Sequence, residues 1–103
     1  MCISAAAAKG IIISGEQVFK SADGINFLPN SIILNATIQG NLVIEGWYYK
    51  NNESWYPLGE TGLTYKVEST SGIFSESGVA TIKVQATDDS YYDIISIYKV
   101  SDG

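Results

Sequence analysis

Histidine and arginine are absent from this 103-residue chain, and cysteine occurs once, as Cys2. Without histidine there is no Ser-His-Asp or Cys-His nucleophile machinery, and nearly every common zinc-binding set is lost. Without arginine, all six cationic side chains are lysines; they face eleven Asp and Glu, for a net charge of -5. An acidic chain lacking the planar guanidinium is poorly suited to phosphate, which argues against nucleic acid and anionic membrane surfaces as partners. One thiol closes no internal bridge, so the fold is expected without a disulfide. No apolar run approaches the roughly 20 residues of a membrane-spanning helix. No cofactor motif is present, and none is expected.

The length suits a single domain. A domain of this size buries roughly two thirds of its unfolded surface, so it needs neither a bridge nor a metal to fold. The first residues differ from the rest. Ala5, Ala6, Ala7 and Ala8 form the one biased tract, and the segment lacks the basic start of a secretory signal. Residues 1–9 are read as a flexible tail carrying Cys2, and residues 10–103 as the folded domain.

Isoleucine, valine, threonine and aromatics dominate that domain, the side chains that suit a pleated, half-buried surface. Residues 11–13 read as a short strand, interrupted at Ser14-Gly15 and resumed over residues 17–20, as though an edge strand switches sheets at the glycine. Residues 21–24 are a turn. Residues 31–39 alternate cleanly, with Ile32, Leu34, Ala36 and Ile38 on one face and Ile33, Asn35 and Thr37 on the other. Residues 42–50 form the next strand, with Val43, Glu45, Trp47 and Tyr49 on one face. Residues 51–54 are a hairpin loop, and 55–58 a short return strand. Leu63, Tyr65 and Val67 mark another strand. Ile73 and Phe74 plug a polar connection. Residues 81–87 place Ile82, Val84 and Ala86 inward, and residues 91–100 form the last strand. Seven or eight antiparallel strands, no helix and a turn every ten residues or so predict an all-β sandwich.

Trp47, on a strand that follows a clean inward-facing one, occupies the place of the core tryptophan of an immunoglobulin-like sandwich. Val84 stands where antibody domains carry their second cysteine, and Leu34 or Ala36 stands at its partner position. Ile82 replaces the tyrosine two residues earlier, so the chain is not of antibody type. Three segments carry a closer likeness: Gly15-Glu16-Gln17-Val18-Phe19-Lys20; Trp47-Tyr48-Tyr49-Lys50 with Trp55 after a short loop; and Asp93 through Ser101-Asp102-Gly103. In order and spacing the chain resembles the immunoglobulin-like domains of phage tail-fibre and tail-tip proteins. The resemblance implies a non-enzymatic structural or receptor-facing module with no catalytic residues. It would sit in the virion or at a cell surface, beside neighbouring domains of a larger tail protein, as a spacer or as a weak contact with host glycan. Two other owners share the same physics: a bacterial surface adhesin, and a carbohydrate-binding accessory domain of a secreted glycosidase.

The aromatics are the strongest binding candidates. Tyr48, Trp55, Tyr56, Tyr91 and Tyr92 exceed what so small a core accommodates. Exposed rings stack on sugars or anchor interfaces; ordinary cross-strand packing on a sheet surface is the plainer alternative. Asp88, Asp89 and Asp93 supply hard oxygen ligands of the kind calcium takes, although Asp88-Asp89-Ser90 is also an ordinary turn. A glycosidase pair of carboxylates needs a cleft that a small sandwich seldom offers. Asn35-Ala36-Thr37 and Asn52-Glu53-Ser54 match the glycosylation sequon.

Overall fold

Eight β-strands and no helix make up residues 9–101, the part of the chain that the computed structural model describes. The strands are β1 (Gly10–Ser14), β2 (Val18–Ser21), β3 (Ser31–Gln39), β4 (Ile44–Asn51), β5 (Ser54–Pro57), β6 (Thr64–Glu68), β7 (Val79–Ala86) and β8 (Tyr92–Ser101). They form two sheets, one in the order β1-β3-β6 and one in the order β2-β8-β7-β4-β5. The expectations for Cys2 and for most of the tail, and the end of the exit segment, fall outside the described residues.

The core follows from period-2 alternation. Ile32, Leu34 and Ala36 of β3 are buried from one side, and Ile82 and Val84 of β7 from the other, with Phe19, Trp47 and Val67 among them. Each burial removes apolar surface from water at roughly 25 cal/mol per Å². Ile73 and Phe74 pack against this cluster from the connection between β6 and β7. The Phe74 ring meets the Phe19 ring edge-on at 5.9 Å.

The sheet switch at Gly15 is present: β1 pairs with β3, and β2 pairs with β8 in the other sheet. One expectation is corrected there. The ladder of β2 with β8 is parallel, from Val18 opposite Tyr98 to Ser21 opposite Ser101, so the strands are not all antiparallel. The link between β1 and β2 is too short to reverse the chain. β2 keeps the direction of β1 and meets β8 running the same way.

A second correction concerns β4. Val43 is exposed, and Ile44 turns inward instead. The register passes from Ile44 opposite Ala86 to Gly46 opposite Gln85, leaving Glu45 as an extra residue. Such a bulge inverts the alternation on its two sides. Trp47 and Tyr49 keep the predicted face, whereas Val43 and Glu45 lose it. The β4–β5 hairpin closes on Asn52 and Glu53, whose φ values of 51° and 73° are both left-handed. Two such residues give the turn whose twist matches the flanking strands.

The turn after β2 is organised by one carboxylate. Asp23 Oδ1 accepts the Ser21 hydroxyl and the Ile25 and Asn26 N–H groups, at 2.9, 2.9 and 2.8 Å. The Asn26 side-chain amide donates to Oδ2 at 2.9 Å. These donors, the Asn26 N–H foremost, hold the Asp23 carboxyl well below the usual carboxylate range. A depressed folded pKa means stabilisation that is complete above the unfolded value of about 3.9 and is lost as pH falls below it. An NMR pH titration is expected to place the Asp23 midpoint well under that value. A midpoint at or above it contradicts the hydrogen-bonded turn.

Candidate functional site

β7 lies inside the five-stranded sheet, between β8 and β4. Because Ile82 and Val84 point into the core, Lys83 between them points out. Its ladder partners are Tyr48 on β4 and Ile94 on β8. Further out, Pro57 lies opposite Tyr48, Trp55 opposite Lys50, and Tyr92 opposite Gln85. Toward the other edge, Val18 lies opposite Tyr98 and Lys20 opposite Val100. All these side chains share the outer face of one sheet.

Lys83 is the centre of that face. Its Nζ stands 4.6 Å from the Trp55 ring centre, 5.3 Å from that of Tyr48 and 5.8 Å from that of Tyr92. Lys50 Nζ approaches the Trp55 ring from the other side of the hairpin register, at 5.9 Å. Ring quadrupoles attract ammonium groups at such distances. From Tyr92 onward, β8 exposes Tyr92, Ile94, Tyr98 and Val100 by 52%, 44%, 44% and 45% on this face, with Ser96 between Ile94 and Tyr98.

Tyr48 is fixed by its own strand. Its hydroxyl donates to Glu45 Oε1, and a Cβ added at Gly46 would stand 3.7 Å from its ring, so the ring lies across the glycine. The hydrogen bond to Glu45, then burial and the Glu45 charge, push the Tyr48 hydroxyl pKa up.

The five candidate aromatics therefore divide. Tyr48, Trp55 and Tyr92 converge on Lys83. Tyr56, next to Trp55, takes the opposite side of β5 and pairs with Tyr49 at 5.8 Å. Tyr91 precedes β8 and packs against the core. Lys83, Ile94 and Tyr98 belong to the face but were not singled out by sequence reading. Their signal was the alternation Tyr92, Ile94, Ser96, Tyr98, Val100 continued across the sheet.

Two of the three candidate acids, Asp88 and Asp93, are occupied by backbone. Asp88 Oδ1 accepts the Ser90 N–H at 3.1 Å and closes the turn. Asp93 Oδ2 accepts the Ile13 N–H at 2.8 Å, tying β8 to β1 across the two sheets. Among the described residues, no three His, Cys, Asp or Glu side chains converge on a metal position. Hollows of 420 and 270 Å³ flank the crossover between β1 and β2, and Glu16 is the one carboxylate lining either.

Comparison with protein-family models, with curated proteins and with solved structures found no match.

Proposed function

We propose that this chain is a non-enzymatic, immunoglobulin-like module of a phage tail-fibre or tail-tip protein that touches host-surface glycan through the outer face of its five-stranded sheet. The observation that carries the contact is the convergence of Tyr48, Trp55 and Tyr92 on Lys83, beside the exposed strip of β8. Aromatic faces offer large contact area at low entropic cost, and the C–H faces of sugars stack on them. The opposite outer face sets Ser14, Asn35, Thr37, Thr64, Lys66 and Glu68 around the exposed Ile12 and Ile33, and carries no exposed aromatic among these residues.

The immunoglobulin-like assignment draws on strand order. The orders β1-β3-β6 and β8-β7-β4-β5 follow A-B-E and G-F-C-C′ of that sandwich. β1 and β2 together take the place of a first strand divided between both sheets. The phage-tail ownership draws on the three sequence segments, which fall on β2, on the β4–β5 hairpin and on β8 with its exit.

A single copy is expected to bind weakly, at about millimolar Kd, and to gain through the many copies a fibre displays. The test uses tetramers of the chain on host cell-wall glycan. Trp55→Ala and Tyr92→Ala are each expected to weaken binding roughly tenfold, equivalent to about 1.4 kcal/mol. Tyr56→Ala, on the other side of the hairpin, should leave binding intact. Binding that survives both substitutions removes the site.

A further inference from the structure

Resting on the glycan reading above, we infer that the sugar recognised on this face is an acidic one, its carboxylate received by Lys83 while its ring lies on Tyr92 and Ile94.

The chain as a whole is acidic, yet Lys20, Lys50 and Lys83, half of its six lysines, project from this one face. Glu45 borders it at the Tyr48 end, where its carboxylate accepts the Tyr48 hydroxyl, and Glu16 lies at the far end, beside Val18 and Lys20. Among the described residues, the one salt bridge is Lys66–Glu68, on the other sheet. The Lys83 ammonium thus meets rings but no carboxylate. The lysines of this face complement an anionic ligand locally, against the long-range repulsion of the net negative charge.

A lysine side chain is flexible and loses about 2 kcal/mol of rotamer entropy when fixed. Lys83 is half-buried within the sheet and held among three rings, so much of that ordering precedes any ligand. A charge-assisted bond from an ammonium already in place is stronger than a neutral one. The rings alone would suit any sugar; the ordered ammonium favours one that carries a carboxylate.

Lys83 lies directly opposite Ile94, and Tyr92 is opposite the next outward residue of β7. A sugar ring seated on Tyr92 and Ile94 puts an equatorial substituent within reach of Lys83 Nζ. An acidic peptide without apolar side chains would satisfy the charge but leave Tyr92 and Ile94 uncovered.

The test is an NMR titration of the ¹⁵N-labelled chain with trimers of galacturonate and of mannuronate, each beside its carboxyl-reduced neutral counterpart. The Trp55 indole N–H and the Tyr92 amide report the site. A uronate trimer is expected to bind about tenfold more tightly than its neutral counterpart, with the gap shrinking in 0.5 M salt, where the screening length is only about 4 Å. Lys83→Gln should close the gap, read as the ratio of uronate to neutral affinity in that same variant, and Lys83→Arg should keep it. Dispersed amide spectra of both variants report folding. Equal affinity for uronate and neutral trimers, or a gap unchanged in Lys83→Gln, overturns the inference and leaves the glycan reading standing. A glutamate trimer that binds as tightly as the uronates overturns the assignment to sugar. No shift with any of the four sugars defeats the glycan reading itself.

Discussion

Replacing Trp47 with alanine is expected to destabilise the fold by about 3–5 kcal/mol, the range for removing a large buried aromatic. Trp47 is 1% exposed and is the largest fully buried side chain. It belongs to β4 of the larger sheet, and its ring stacks at 5.9 Å on Tyr65 of β6 in the smaller one. Its indole N–H donates to the Gly62 carbonyl at 2.8 Å, which fixes the segment entering β6. The truncation therefore opens a cavity between the sheets and leaves a carbonyl without its donor. Trp47→Phe separates the two effects. It keeps most of the apolar volume and loses the hydrogen bond, a net contribution of about 0.5–1.5 kcal/mol, along with some packing. Urea titrations of the three proteins give the comparison. A loss below about 1 kcal/mol for Trp47→Ala would mean that the tryptophan does not pin the sheets.

The strands were legible wherever one face is buried and the other wet. The alternation of β3 and β7 is uninterrupted; β3 has the predicted bounds, and β7 runs Val79–Ala86 where the pattern predicts 81–87. Reading failed where backbone geometry changes parity. Nothing in Leu42 to Gly46 announces that Glu45 is an extra residue, because a bulge is fixed by the register against β7, a long-range relation. Strand direction failed for a related reason. Gly15 marked the switch between sheets, but whether β2 meets a parallel or an antiparallel neighbour depends on where β8 lies, some eighty residues further on.

The aromatic face was legible in part. Composition shows that the aromatics exceed the core, but not how they divide between two surfaces. Trp55 and Tyr56 had to point opposite ways; the sequence does not say which one meets Tyr48, since that choice rests on the pairing of Lys50 with Trp55. Tyr91 and Tyr92 separate because β8 begins between them. Lys83 escaped notice because a single lysine between two buried residues is the ordinary outward position of any strand. Only the cross-strand register brings three rings to it.

The crossover between the sheets should be the least tolerant backbone position. Gly15 has φ of +154°, and a Cβ there would stand 2.8 Å from Leu34 Cδ2 and 3.0 Å from the Ile33 carbonyl oxygen. Leu34 is fully buried, so its methyl shifts only by repacking the core, and a strand carbonyl cannot move without its ladder. Backbone strain costs roughly 1–3 kcal/mol and overpacking of a tight core a similar amount. Gly15→Ala is therefore expected to cost about 2–4 kcal/mol, more than the wide range of surface substitutions. Gly72→Ala is the control: its φ is not left-handed and no atom lies within 4 Å of the added Cβ, so the change should stay within about 0.5 kcal/mol. The damage should also be local in character. Amide hydrogen exchange in Gly15→Ala should quicken first across β2, Val18–Ser21, whose parallel ladder on β8 depends on the crossover, and only later across β3 and β7. If Gly15→Ala costs less than about 1 kcal/mol and β2 keeps its protection, the chain can pass between the sheets without a glycine, and the switch is set by the pairing of β2 with β8 alone.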